Sequence, residues 1–191
     1  KMLKTKIEGD CEDYSSNYDG SVMLVLNSEK ELYSINGKKV EKVATDVANF
    51  EIAAEGEYAA YRSDEDGTLF IVKLSNGKST EIADDVTDYT ISPDGSAVAY
   101  TVVDGMFTNP DEADTDGELF LFKGKKSEMI GKDYDVYGVS NKGKYVYASK
   151  EDALYVITKK GEDKEKLGED CVDVAFNCDG TQILFWDGDE K

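Results

Sequence analysis

Short apolar runs alternate with polar turns along the whole chain, and no stretch sustains a helical period. The turns fall in register. Gly20, Gly56, Gly95, Gly143 and Gly180 each follow a polar residue and lead into an apolar run, as in Pro93-Asp94-Gly95-Ser96-Ala97-Val98-Ala99-Tyr100. Glycine in such a place supplies the positive φ of a tight hairpin. Counting back from each glycine gives one pattern without gaps. Thirteen residues earlier stand Ile7, Val43, Ile82, Ile130 and Leu167, and nine earlier stand Cys11, Val47, Val86, Tyr134 and Cys171. Six earlier stand Tyr14, Phe50, Tyr89, Tyr137 and Val174, and four earlier stand Ser16, Ile52, Ile91, Val139 and Phe176.

A further strand follows each of the first four glycines, at Glu31–Ile35, Thr68–Leu74, Glu118–Lys123 and Ala153–Thr158. Turns at Asn36-Gly37, Asn76-Gly77, Gly124 and Gly161 then lead onward, and Asn-Gly between apolar runs is a strong hairpin signal. Each unit therefore reads as four short strands. Repeats of this size and content are the mark of propeller blades, which stack because a lone sheet cannot cover both of its faces. The spacing predicts an all-β fold, a β-propeller of five repeats of about 36–48 residues, as one domain over 1–191. Leu3–Ile7 has the character of an outermost strand and Gln182–Trp186 that of a second strand. The N-terminal strand is thus expected to close the last blade. The alternative is five blades of a longer, truncated propeller.

The stretch Val86–Tyr100, with its Ser92-Pro93-Asp94-Gly95 turn, followed by Gly117-Glu118-Leu119-Phe120-Leu121-Phe122, resembles the TolB-like propeller repeat. The likeness is good over this one repeat and weak over the rest, where Tyr18, Ala54, Asn141 and Cys178 stand near the glycine without the proline. The resemblance implies an extracytoplasmic binding platform, or an accessory domain beside a catalytic one. Trp186-Asp187 occurs once and is no WD-repeat signature.

Charge narrows the function. With 41 acidic against 22 basic residues the formal net charge is -19, which repels phosphate backbones and anionic lipid. Nucleic acid is therefore excluded as a partner, and cations or basic partners are favoured. A simple solvated acidic surface explains the same number. Histidine is absent, which removes serine–histidine and cysteine–histidine catalysis within this chain. Arg62 is the lone arginine, so bidentate anion clamps are scarce. Cys11, Cys171 and Cys178 match no zinc spacing and are expected as free, buried thiols. No stretch approaches the ~20 apolar residues of a membrane span.

Two polar features recur on one predicted face. Ten residues before each glycine stands an aspartate: Asp10, Asp46, Asp85, Asp133 and Asp170. Three residues further on stand Asp13, Asn49, Asp88, Val136 and Asp173. Both rows fall where the innermost strands begin, at one mouth of the channel. Aspartate can satisfy turn N–H groups there without any ligand, or cluster around a cation. The third repeat adds an insertion, Asp104–Gly117, between its second and third strands and so at the same mouth. Its Asp111, Glu112, Asp114 and Asp116 make calcium a candidate, although Lys123 stands where an EF-hand would close with glutamate. Met106 and Phe107 are either an exposed apolar contact or fold back on the blade.

No cofactor is required by any of this. The expected function is non-catalytic binding or scaffolding by part of an extracytoplasmic envelope protein. Its ligand, a protein or a small molecule, would engage the mouth that bears the insertion. The alternatives are an accessory propeller of a larger hydrolase or peptidase, and a carboxylate-dependent glycosidase.

Overall fold

The computed structural model describes residues 6–107, 116–158, 161, 163–169 and 171–187, with backbone alone at 172, 173 and 187. Among them are eighteen β-strands and one 3-10 turn, at Asn141–Gly143. β1 (Cys11–Ser16), β2 (Val22–Asn27), β3 (Leu32–Asn36) and β4 (Lys39–Ala44) form the first antiparallel sheet in chain order. β5 (Val47–Ile52), β6 (Tyr58–Ser63), β7 (Leu69–Lys73) and β8 (Lys78–Ala83) form the second. The third is β9 (Val86–Ile91), β10 (Ala97–Val102), β11 (Glu118–Lys123) and β12 (Lys126–Lys132). β13 (Asp135–Val139), β14 (Tyr145–Lys150), β15 (Ala153–Thr158) and β16 (Lys164–Gly168) form the fourth. β17 (Cys171–Phe176) pairs with β18 (Ile183–Asp187) in the fifth, a two-stranded sheet among the described residues. The closing strand expected at Leu3–Ile7 falls largely outside the described residues, and Lys6 and Ile7 are not in a strand.

The strands are what the spacing calls for. The hairpin between the first and second strands of every sheet turns on a left-handed glycine, as at Gly95 (φ +68°), where a Cβ would also lie 2.6 Å from the Tyr58 Cβ of the preceding sheet. The outermost strands β4 and β8 are mostly exposed and rich in lysine and glutamate, which keeps their free edges from pairing with other chains.

The sheets stack face to face, always with the same polarity. Val22, Leu24 and Leu26 of β2 meet Ala59 and Tyr61 of β6. Ala60 of β6 meets Val98 and Tyr100 of β10. Ala97 and Ala99 of β10 meet Val146 and Ala148 of β14. Tyr147 of β14 meets Phe176 of β17 with ring centroids 5.0 Å apart. Positions two, four and six after the anchoring glycine thus face forward along the chain, and positions three and five face back. The turns between first and second strands are tied across each boundary, by Tyr18 N to Ala54 O (3.0 Å), Glu55 N to Pro93 O (3.0 Å), Asp94 N to the Asn141 side chain (2.9 Å) and Asn141 N to Asp179 O (3.1 Å). β1, β5, β9 and β13 adjoin one another in succession, so the first strand of each sheet is the innermost. Among the described residues no helix is long and apolar enough to cross a membrane.

Two expectations change. The cysteines are free, but Cys11 and Cys178 are exposed and Cys171 is half-buried rather than buried. Cys11 takes the place held by the fully buried Val47 and Val86, but among the described residues no sheet packs against that place in the first sheet. The second polar row also shifts in the fourth sheet, as described next.

Candidate functional site

The innermost strands begin with left-handed residues. Asp46, Asp85 and Asp133 have φ of +58°, +53° and +59°, and in the first sheet the same turn falls on Gly9 (φ +76°) beside Asp10. Short polar side chains that hydrogen-bond locally tolerate this conformation best. Their backbone carbonyls accept from the next turn: Ser28 N to Asp10 O (2.8 Å), Asp64 N to Asp46 O (2.9 Å), Val103 N to Asp85 O (3.2 Å). The carboxylates are engaged too. Asp46 accepts from Ser63 Oγ (3.1 Å), and Asp133 forms an ion pair with Lys150 (3.0 Å). The first polar row is thus explained by turn geometry. Asp170 lies outside the described residues.

Asp85 has a further task. Its carboxylate accepts from Gly105 N (3.3 Å) and Phe107 N (3.2 Å), which ties down the start of the insertion. Phe107 then folds back. Its ring lies under the Arg62 guanidinium (5.1 Å) and against Gly67, where a Cβ would sit 2.4 Å from the ring. Met106 remains 45% exposed, so of these two residues only Phe107 rejoins the blade. Asp111, Glu112 and Asp114 lie outside the described residues, and Asp116 is exposed. Among the described residues no three acidic or cysteine side chains converge at metal-binding spacing.

The second row sits beside the channel. In the first three sheets a bulge places Asp13, Asn49 and Asp88 opposite the sixth residue after the glycine (Leu26, Arg62 and Thr101). In β13 the bulge comes later, between Val136 and Gly138, so Asp135 and not Val136 stands opposite Ser149. Ungapped counting chose Val136; the bulge substitutes an acid and extends the row to Asp13, Asn49, Asp88 and Asp135. Asp173 belongs to β17, but its side chain is not described. The carboxylates of Asp13 and Asp88 each accept from the next backbone N–H, at 2.8 and 2.9 Å. Asp88 is exposed, yet its surroundings strip enough water to push its carboxyl above the ordinary value. Asp135 adds to the rise, while the Tyr89 N–H and Arg62 oppose it.

Glu51 is the residue that repeat reading missed. Its equivalents are Ser15, Thr90, Gly138 and Ala175, so it is the one ionisable group in an otherwise small row, and that oddity was the available signal. From β5 it reaches the free edge of β9, accepting from Ile91 N (2.9 Å) and Thr90 Oγ1 (3.3 Å). Burial pushes its carboxyl up to about 7, with Asp88 adding and the two hydrogen bonds opposing. Tyr89 beside it is pushed up by the same burial and by Glu51. The local counter-charge is Arg62, whose Nη1 donates to Val86 O (3.1 Å) and whose Nε is buried with no partner among the described residues. Glu51 and Asp88 are thus two partly desolvated acids on neighbouring innermost strands, with Arg62 offsetting the charge at Asp88.

No protein-family model matches the sequence, and comparison with curated proteins finds no match. Solved structures do match in shape. An oligogalacturonate lyase solved with manganese superposes with a TM-score of 0.65 at 12% identity, over 93% of this chain and 61% of that one. The β-propeller domain of Cps50 (Swd1) from Myceliophteria thermophila gives 0.62 at 11% identity, over 96% and 64%. A putative TolB from Agrobacterium tumefaciens gives 0.61 at 16% identity, over 96% and 73%. This chain has a propeller-type fold. The propeller spans about three fifths of the length of the lyase it matches. Identity this low carries the fold and no more, because one fold hosts many functions.

Proposed function

We propose that this propeller is a non-catalytic binding or scaffolding domain. Its partner is a cationic ligand or a basic protein segment, engaged at the mouth where the innermost strands begin and the 104–117 insertion departs. One observation carries the reading: the partly desolvated Asp88 acts electrostatically on Glu51 and is acted on by Asp135, with Arg62 as the positive group that offsets it. A low-dielectric wall of one sign focuses its field and raises the local concentration of counter-charged ligand. Calcium at the insertion is the metal form of the same proposal. Location in an extracytoplasmic envelope protein rests on the TolB-like repeat alone.

Calorimetry with a lysine-rich peptide, and separately with calcium, tests the reading. Binding is expected to weaken at least several-fold in the double variant Asp88→Asn/Asp135→Asn, a loss on the order of 1 kcal/mol per charge pair removed. A control pair on outer strands, Glu41→Gln/Glu128→Gln, should leave affinity nearly unchanged. Equal losses in the two pairs would reduce the site to generic surface charge and end the proposal.

A further inference from the structure

The outer hairpins of the second and third sheets differ in length, and the difference opens a cleft between them. Lys73 pairs across its hairpin with Lys78, and Lys123 with Lys126. Four residues, 74–77, therefore join β7 to β8, whereas only Gly124 and Lys125 join β11 to β12. Leu69 and Leu119, both 0% exposed, hold equivalent places in β7 and β11, and five residues on stand Leu74 and Gly124. Leu74 is buried in the core shared by the first and second sheets, and with Val72 it leaves a cleft there of only about 220 Å³. The turn after β15 reaches back in the same way, since a Cβ on Gly161 would lie 2.6 Å from the Ile130 carbonyl oxygen of the third sheet. Between the second and third sheets the shorter turn puts glycine where the leucine stood, and the cleft grows to about 560 Å³. That is the size of a ligand site.

The floor of this cleft is apolar, made by Tyr58, Ile71 and Phe122. Its rim is basic, with Lys73, Lys78 and Lys125 against the acid Glu81. Lys73 is held by Glu57 (2.6 Å) and lies over the Tyr58 ring (5.4 Å). Lys78 and Lys125 are exposed, and among the described residues neither ammonium has an ion-pair partner. In a chain of formal charge -19 the rim is a local reversal of sign. At physiological salt the Debye length is ~8 Å, so the rim lysines are felt at the cleft while distant acids are screened. The cleft opens at the Gly95 and Gly124 turns, the opposite end of the sheets from the mouth where the innermost strands begin, so it is a separate site. We propose that it docks an acidic peptide segment of a partner protein, with one leucine-sized side chain on the floor and flanking carboxylates against Lys78 and Lys125. Leucine suits the floor because the chain's own Leu74 fills the equivalent cleft one boundary earlier. Carboxylates suit the rim because its two unpaired ammonium groups have no acid of this chain to satisfy them.

Fluorescence anisotropy of a labelled peptide, Asp-Glu-Leu-Glu-Asp, is expected to show saturable binding. Serine in place of the peptide's leucine should weaken it at least about tenfold. On the protein, Lys78→Glu/Lys125→Glu should also cost at least about tenfold. Lys38→Glu/Lys39→Glu, an equal change of net charge on the first sheet's outer hairpin, should leave affinity within about twofold. Thr80→Trp fills the cleft from an exposed position on β8 without altering charge, and should weaken binding as much as the cleft lysine pair does. It is the second variant should the lysine pair fail a circular-dichroism check of folding. Absence of saturable binding up to about 1 mM peptide overturns the proposal. So do equal losses in the two lysine pairs, or binding that ignores the leucine, since either would mean simple ion exchange. Acetyl-leucine binding as tightly as the peptide would make the ligand a small acid and overturn the peptide assignment. Self-association of the chain that Thr80→Trp abolishes would make the occupant a second copy and overturn it too.

Discussion

Glu51 departs from its repeat by a single charge, and that charge couples two sheets. Its carboxylate satisfies an edge N–H of β9 that would otherwise need water, at the cost of being drawn out of solvent. Because its folded value of about 7 lies above the ordinary 4.5, the native state favours the protonated acid. The associated stability is therefore fully present below pH 4.5 and is lost as pH rises through about 7. The difference is worth at most about 3 kcal/mol, and less where channel water screens the group. Glu51→Gln keeps an acceptor for Ile91 N and removes the charge. Urea unfolding is expected to show the variant more stable than the parent at pH 8, by roughly 1–3 kcal/mol, and within about 0.5 kcal/mol of it at pH 4.5. A variant destabilised equally at both values would mean that the hydrogen bond, not the ionisation, dominates.

Among the strands, two kinds of irregularity matter. The hairpin glycines are alike in φ but not in surroundings. Gly95 (φ +68°) sits against Tyr58, whereas Gly77 (φ +65°) has nothing within 4 Å of the place a Cβ would take. Alanine at Gly77 should cost only the left-handed penalty, about 1–2 kcal/mol. Alanine at Gly95 adds a clash between neighbouring sheets and should cost at least about 1 kcal/mol more. Thermal melts of the two variants compare them directly, and equal shifts would show that the turn at Gly95 can move away from Tyr58. The second irregularity is the bulge. Moving it from the start of β13 to Val136/Gly138 exchanges an apolar residue for Asp135 on the channel side, without any change in strand count. Bulges redirect side chains at sheet edges, and here the redirection completes an acidic row.

The whole molecule carries its charge on a thin stack of sheets. Self-repulsion at -19 weakens the compact state over distances comparable to the Debye length. Screening shortens that length from ~10 Å at 0.1 M salt to ~3 Å at 1 M. The melting temperature should therefore rise with sodium chloride. Surface ion pairs pull the other way, but they are worth little each: Lys30–Glu12, Lys39–Glu41 and Lys73–Glu57 all leave both partners open to water. A melting temperature that falls with salt would show these pairs outweighing the net repulsion.

Strand number, order and the anchoring turns were legible in the sequence because they depend on local spacing. A glycine followed by an apolar run dictates a hairpin wherever it occurs, and five ungapped copies dictate a stack. Strand edges such as Glu118–Lys123 and Ala153–Thr158 could be read to the residue. The aspartates of the first row were legible as turn residues for the same reason. What the sequence could not decide involves groups that meet through space. The bulge in β13 falls between Val136 and Gly138, a shift of register that ungapped spacing does not encode, so Asp135 replaced Val136 only in three dimensions. Glu51 gains its meaning from the edge of the next sheet, forty residues away in the chain. Phe107 finds its place over Arg62 and Gly67 from a different repeat. Cys11, Met23 and Trp186 carry the pattern of buried positions, yet burial requires a neighbouring face, and only the tertiary structure shows that these three are exposed.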